Sequence, residues 1–404
     1  MGKAIFVQLP GIGHVNPTLP VISGLVRRGE EIIIVNTNDF AYKYNNLGAE
    51  FKPYSAEGAE HFHNHMKTVD DYVFALSFFC SGTIIVLPEL ITLVNDVCPD
   101  YILSDSACIW GRILAEYLKL PLIESCTFFS VARGDEKGKV SLLDNIANHR
   151  YHEISRKEWF IDFQKIMKNK YGCNELAPYD FLVNYGDLNI VFTSKYFHPN
   201  GNSFDDSFKF VGPIITNRSE AYDFIIDLNN KKLIYVSLGT VFNNNETAFH
   251  FYTNCIKVFT GSDFEVIIST GGGIDASIFK NIPPNINIHN YVPQLEVLKR
   301  ANLFITHGGM NSVNEALYYG VPLFLIPMGV DQPMVARQVQ KLGAGRMIDA
   351  DSIDFKTLKK VCIEIIENPS YKESSVRISN SYRNCGGYNR AVDEILRFTA
   401  SVCE

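Results

Sequence analysis

No CxxC pair and no zinc-ribbon spacing occurs among the nine cysteines of this 404-residue chain, whose closest two are Cys98 and Cys108. CxxC redox chemistry and a zinc ribbon are thereby excluded. An odd thiol count in a long chain points instead to a reduced, cytoplasmic setting. An excess of positive charge is lacking as well: Lys and Arg number 37 against 44 Asp and Glu, a net −7 with His neutral. Such a chain has no net attraction for phosphate backbones or anionic lipid, which argues against nucleic acid and membrane as partners. Long apolar runs are also missing. Ala4 to Leu9 is shorter than the roughly 7 to 15 residues of a signal-peptide core and reads as a first strand. The longest uncharged run, Tyr72 to Pro88, contains Ser77, Ser81, Gly82 and Thr83 and is expected to fall short of a spanning helix. No repeat of about 20 to 50 residues is visible, so any likeness between the halves is architectural.

What is present is ordinary globular composition, 46% hydrophobic and 20% charged, enough to bury a sizeable core. Short β-branched runs alternate with longer amphipathic stretches, the order of parallel strands covered by crossover helices. Two series appear. The first holds Ala4 to Leu9, Glu31 to Asn36, Tyr101 to Ser104, Leu122 to Ser125 and Asn189 to Thr193. The second holds Leu233 to Leu238, Glu265 to Ser269, Asn287 to His289, Leu303 to Thr306, Leu323 to Pro327 and Arg346 to Ile348. Polar, Asn- and Lys-rich sequence separates them. The expected fold class is α/β, two doubly wound Rossmann-like domains facing a central cleft, with chemistry in that cleft. Residues 1–215 form the first domain, 216–232 a linker, 233–385 the second domain and 386–404 a C-terminal helix. A charged insertion, Asp135 to Tyr171, either walls a pocket or is a solvated excursion.

The first strand runs into Pro10-Gly11-Ile12-Gly13-His14-Val15-Asn16-Pro17, and position 16 is not the third glycine of a dinucleotide fingerprint. His14 sits at this strand-to-helix turn, either as a catalytic base or as a turn histidine bonded to backbone. Asp105 ends another strand of the same series. A carboxylate holding one imidazole nitrogen leaves the other to accept a proton, so the two make a base and its orienter, unless Asp105 is only a helix cap. In the second series, His307-Gly308-Gly309 opens from a strand onto a helix. Such an N-terminus suits phosphate, because unsatisfied N–H groups and the helix dipole meet the anion and glycine allows close approach. Ser312-Val313-Asn314-Glu315 spells a capping box, although Glu315 would equally bind vicinal sugar hydroxyls.

Three stretches together identify a resemblance: Tyr291-Val292-Pro293-Gln294, the run from His307 to Glu315 with the form His-x-Gly-x-Asn-Ser-x-x-Glu, and Asp331-Gln332. They resemble the donor signature of family 1 nucleotide-sugar glycosyltransferases of the GT-B fold, nearest the bacterial macrolide glycosyltransferases that also act on flavonoids and other phenols. The likeness covers essentially the whole chain. It implies that Tyr291, with Val292 and Gln294, meets the nucleobase, where many relatives have Trp, and that Glu315 holds the ribose. By the same likeness His307, Gly309, Asn311 and Ser312 hold the pyrophosphate with Ser237, Gly239 and Thr240, while Asp331 and Gln332 meet the sugar. His14 and Asp105 become the acceptor-activating dyad. The implied reaction is inverting, metal-independent transfer of a hexose, glucose from UDP-glucose, to a hydrophobic hydroxylated acceptor such as a macrolide or flavonoid. UDP-sugar is a co-substrate; no permanent cofactor and no metal are expected, and the chain is expected to be monomeric. Phe78, Phe79, Phe128 and Phe129 line an acceptor pocket or pack the core. Asp349-Ala350-Asp351 reads as a turn, and His61, His63 and His65 as an exposed loop. A nucleotide-sugar epimerase and a non-catalytic partner of the same fold are the alternatives.

Overall fold

The structure is a computed structural model that describes residues 2–65, 72–135, 138, 151–173, 176–181, 184–216, 224, 226, 228, 230–239, 246–271, 274–329, 331–349 and 354–402. The chain divides into two compact units, Met1–Ile215 together with Asn384–Glu404, and Thr216–Arg383.

The first unit is built on seven parallel strands: β1 (Lys3–Val7), β2 (Glu31–Asn36), β3 (Glu50–Pro53), β4 (Tyr101–Asp105), β5 (Leu122–Cys126), β6 (Leu188–Val191) and β7 (Phe208–Phe210). Their order is β3-β2-β1-β4-β5-β6-β7. The reversal beside β1 is the switch point at which doubly wound sheets bind ligands. Its helices are α1 (Ile12–Arg27), α2 (Ala41–Tyr44), α3 (Ala56–His65), α4 (Tyr72–Val97), α5 (Ile109–Leu118), α6 (Tyr151–Ile154) and α7 (Glu158–Tyr171). Helices cover both faces, so β1 and the middle of β2 read as apolar runs, whereas β4 and β5 open apolar and turn polar at Ser104-Asp105 and Glu124-Ser125. On one face Ile5, Val7, Ile33, Val35 and Ile102 pack against α4 and α5; on the other Ala4, Phe6, Ile32, Ile34 and Leu103 pack against α1.

Two edge strands escape the sequence pattern. β3 reads Glu-Phe-Lys-Pro and is mostly exposed. Charge and a terminal proline are what an edge strand carries to avoid further pairing, and they erase the apolar alternation. β7 has only three residues. The Tyr72–Pro88 run is corrected by the fold: it continues through Pro88 as one 26-residue helix, α4, long and apolar enough by length and composition to cross a bilayer. Half of that apolar stretch is buried inside the unit, so its length serves the core. The described part of the Asp135–Tyr171 insertion is no loose excursion either, since Phe160, Phe163, Met167 and Tyr171 of α7 join the same core.

The second unit has six parallel strands: β8 (Lys232–Ser237), β9 (Phe264–Ser269), β10 (Ile286–His289), β11 (Ala301–Thr306), β12 (Leu323–Leu325) and β13 (Gly345–Met347), ordered β10-β9-β8-β11-β12-β13. Its helices are α8 (Glu246–Phe259), α9 (Gln294–Leu298), α10 (Met310–Tyr318), α11 (Gln332–Lys341), α12 (Phe355–Glu367) and α13 (Pro369–Arg383). A last helix, α14 (Gly387–Val402), belongs to the first unit and packs on α1. There Val392 lies against Gly24, where a Cβ would stand 2.7 Å from its Cγ2, and Arg28 pairs with Asp393. Ala391, Val392 and Ile395 bury that face among α1 and β1 side chains, which fixes the C-terminus to the element that carries His14.

Candidate functional site

Each unit gathers its candidate residues at the C-terminal ends of its own central strands. In the first, β1 and β4 are neighbours with Val7 opposite Ser104, so the segments leaving them emerge side by side. Gly11 is the N-cap of α1 and no side chain caps that helix, which places His14 in its first turn. Imidazole Nδ1 of His14 lies 2.8 Å from Asp105 Oδ2. Asp105 is fully buried, whereas 28% of the His14 side chain is exposed. The second carboxylate oxygen, Oδ1, accepts the Ala107 N–H at 2.8 Å. A buried carboxylate needs such partners, and here a backbone amide and an imidazole supply them.

The groups around this pair are held neutral. Burial, and after it the neighbouring Asp105 charge, pushes the Glu124 carboxyl well above the usual carboxylate range. Burial also raises the thiols of Cys108 and Cys126 and the Tyr44 phenol. Asp105 is therefore the carboxylate available to orient His14. With an acceptor-only carboxylate on Nδ1, that nitrogen carries the hydrogen and Nε2 the lone pair, the tautomer a general base needs.

In the second unit, β8 and β11 are paired with Ser237 opposite Thr306, so the turns that follow them adjoin. Gly239 and Gly308 adopt φ of +78° and +90°, conformations that L side chains rarely enter. The His307 ring is wedged between two glycine backbones. A Cβ at Gly239 would stand 2.6 Å from its Cε1, and one at Gly309 2.5 Å from its Nε2. Enclosure lowers the His307 pKa to about 4, because burial disfavours the charged ring. His307 is thus a neutral hydrogen-bonding group at pH 7.

Gly309 is the N-cap of α10, and no side chain caps that end. The capping-box alternative is thereby corrected: Ser312 and Glu315 lie inside the helix, not around its N-cap. Glu315 is 1% exposed, accepting hydrogen bonds from Gln294 Nε2 at 2.7 Å and Asn311 Nδ2 at 2.9 Å. Gln294 Oε1 in turn accepts from Tyr235 Oη at 3.1 Å. Tyr291 is 64% exposed, an aromatic face open to a stacking partner, and Val292 beside it is half-buried. Asp331 is the N-cap of α11. Gln332 is buried, and its Oε1 accepts the Met328 N–H at 2.8 Å, which braces the turn after β12. Ser237 is buried with Oγ 3.4 Å from the Gly239 N–H, and Thr240 lies outside the described residues.

Other candidates are redistributed. Of the two readings left open for the phenylalanines, Phe78 and Phe129 take core packing, 2% and 3% exposed; Phe78 stacks on His61 at 4.7 Å, and Phe129 meets the Phe197 and His198 rings. Phe79 and Phe128 keep partly exposed surface. His61, His63 and His65 lie on α3, not in a loop, and His61 Nε2 is 3.0 Å from the Phe78 carbonyl oxygen. Of Asp349-Ala350-Asp351 only Asp349 is described. Among the described residues no three His, Cys, Asp or Glu side chains converge to hold a metal ion. One neighbour was missed entirely. Thr127, just beyond β5, places Oγ1 3.1 Å from His14 Nδ1; its only sequence signal is a hydroxyl at a third strand exit.

Two parallel α/β units, one with a part-exposed histidine held by a buried aspartate and the other with a glycine-lined helix terminus, carry the equipment of a group-transferring enzyme. Comparison with known proteins carries the definition further. The C-terminal domain model of erythromycin biosynthesis protein CIII-like proteins matches residues 255–384. An uncharacterised UDP-glucosyltransferase of Bacillus subtilis, YojK, is 35% identical over 98% of this chain and 97% of its own length. The NDP-glycosyltransferase YjiC of the same organism is 32% identical over 97% of this chain and 96% of its own. Among solved structures, the glycotransferase of kitacinnamycin superposes with a TM-score of 0.83 at 28% identity, covering 98% of both chains. The chain belongs to the family 1 nucleotide-sugar glycosyltransferases of the GT-B fold and is a glycosyltransferase.

Proposed function

We propose that this glycosyltransferase moves glucose from UDP-glucose to a hydroxyl of a hydrophobic natural-product acceptor, a macrolide or a flavonoid-like phenol, with inversion and with His14 as the general base. The observation that carries the catalytic part is the 2.8 Å contact between His14 Nδ1 and buried Asp105. In this reading His14 Nε2 takes the acceptor's hydroxyl proton while the oxygen attacks the anomeric carbon. The bond from that carbon to the diphosphate oxygen breaks, and UDP leaves with the electron pair. Asp105 stabilises the imidazolium that forms.

The donor reading rests on the second unit. Its helix N-terminus without a side-chain cap, the glycine-lined His307 and exposed Tyr291 suit a pyrophosphate and a base. Ser237, Gly239, Thr240, Gly309, Asn311 and Ser312 complete the phosphate contacts we assign. Glu315 would take the ribose hydroxyls by exchanging its bonds to Gln294 and Asn311. Asp331 and Gln332 would meet the sugar, the latter by leaving the Met328 amide. The glucose donor is supported by the UDP-glucosyltransferase relative, and the macrolide acceptor by the erythromycin-pathway domain and by the apolar surface at Phe79 and Phe128. We assign no metal to the reaction, a monomeric state, and a cytoplasmic setting, the last supported by the absence of any disulfide among the described cysteines.

Incubation with UDP-glucose and a panel of macrolides and phenols, with and without a chelator, tests this directly. A product heavier than its acceptor by one hexose is expected in both conditions. An epimerised donor without conjugate, or no change in either substrate, would overturn the assignment.

A further inference from the structure

The strand register that brings His14 to Asp105 brings in a third group. In the β4–β5 pair Asp105 stands opposite Ser125. Thr127 is two residues further along, and because side chains alternate across a sheet it returns to the face that Asp105 and Ser125 share. The result is that Nδ1 of His14 has two oxygens in front of it, Asp105 Oδ2 at 2.8 Å and Thr127 Oγ1 at 3.1 Å. Nδ1 has one hydrogen to give, and the carboxylate accepts only. A hydrogen bond shared between two acceptors fixes the plane of the donor more tightly than one, since rotation that favours either oxygen abandons the other. We propose that Thr127 is a positioning residue that shares the Nδ1–H of His14 with Asp105, fixing the ring plane and tautomer of the base.

The consequence grows during turnover. When His14 gains a proton at Nε2, its Nδ1–H becomes a charged donor, and hydrogen bonds from charged donors are about twice as strong as neutral ones. Thr127 then stabilises imidazolium more than imidazole. Among the described residues, the titratable groups coupled to Asp105 are Glu124 and Cys126 on β5, Cys108 after β4 and Tyr44 on α2, all kept in their neutral forms by burial, and the Arg112 guanidinium on α5 acts on Glu124. These four neutral groups add no charge of their own beside the ring. Threonine suits the task better than serine, because its β-branch narrows the choice of χ1.

The inference rests on His14 acting as base, and the experiment separates the two. Thr127→Val keeps the shape and removes the oxygen; Thr127→Ser keeps the oxygen. With UDP-glucose and an accepted phenol, Thr127→Val is expected to lower kcat about three- to tenfold, the size of one hydrogen bond. The acid limb of its pH–kcat profile should move to lower pH while KM for UDP-glucose stays unchanged, and Thr127→Ser should restore most of both. Wild-type kcat and pH profile in Thr127→Val would overturn the inference, as would equal damage in both variants with a raised donor KM. In parallel, the His14 ring nitrogens are titrated by NMR in the isotopically labelled full chain. A lowered midpoint in Thr127→Val is expected whether or not sugar is transferred. An unchanged midpoint overturns the role of Thr127, whereas a lowered midpoint in a protein that transfers nothing overturns only the assignment of His14.

Discussion

Two histidines occupy the same kind of place in the two units and are made to do opposite things. His14 and His307 each follow a central parallel strand and lie at the first turn of the next helix or just before it. His14 faces a buried carboxylate and keeps part of its side chain in solvent. His307 is closed in by the backbones of Gly239 and Gly309, and burial holds it neutral down to about pH 4. Strand-to-helix turns therefore supply position alone; the chemistry comes from what the adjoining strand places beside the ring. A carboxylate makes a base that can carry charge, and a glycine enclosure makes a hydrogen-bonding group that stays uncharged.

The largest expected effect strikes the first ring. His14→Ala should lower kcat by roughly 10² to 10⁴-fold, the usual reach of general-base help. Asp105→Asn keeps the size of the side chain, but its amide can donate to Nδ1 and so favours the wrong tautomer. A loss on the order of 10²-fold or more is expected in the same assay. Retention of more than a tenth of the activity by either variant would break the contrast.

Glycine substitutions probe the second ring. Gly239→Ala combines a 2.6 Å approach to His307 with a φ of +78°, and Gly309→Ala a 2.5 Å approach with ordinary φ. Each should raise the KM for UDP-glucose, and Gly239→Ala should also cost about 1 to 3 kcal/mol in a denaturant titration. Gly13→Ala, beside His14, is the control. A Cβ there meets nothing within 4 Å, so stability should change by less than about 0.5 kcal/mol.

A smaller effect concerns acid stability. His198, buried among Phe129, Phe204 and Phe210, accepts the Ser130 N–H at Nε2 and has its pKa lowered to about 4. A folded pKa below the ordinary 6.5 means that the unfolded chain binds more protons between those values. Stability is then lost as pH falls from about 6.5 toward 4. His198→Gln should be less stable at neutral pH, yet lose roughly 2 to 3 kcal/mol less than wild type between pH 7 and 4.5. Glu124, with its raised pKa, works in the opposite sense, so the difference between variant and wild type is the quantity to read. Equal pH dependence in both would assign the acid lability elsewhere.

Legibility in the sequence followed burial. Strands β1, β2, β4 and β5 of the first unit, and the interior strands of the second, each carry an apolar stretch because helices cover both sheet faces. Those same runs led to His14, Asp105 and His307 at their ends. Edge strands β3 and β7 were illegible, one because charge and proline mask it and one because three residues make no pattern. α4 was underestimated because small polar residues inside a helix can return their hydroxyls to its own carbonyls, as Ser81 and Thr83 do to Ser77 and Phe79. Side-chain exchange was the least legible. Asn311 and Glu315 meet at helical i,i+4 spacing, but nothing in the spacing says that Gln332 would turn inward to Met328, that Gln294 would reach Glu315, or that Thr127 would meet His14. The last two depend on how segments 21 and 113 residues apart in the chain are brought together.

The division of labour between the two rings is tested most directly by calorimetric titration of UDP into His14→Ala and Gly309→Ala side by side. His14→Ala should bind UDP with wild-type affinity despite its loss of turnover, and Gly309→Ala should bind at least tenfold more weakly. Weakened UDP binding in His14→Ala, or wild-type binding in Gly309→Ala, would contradict the account.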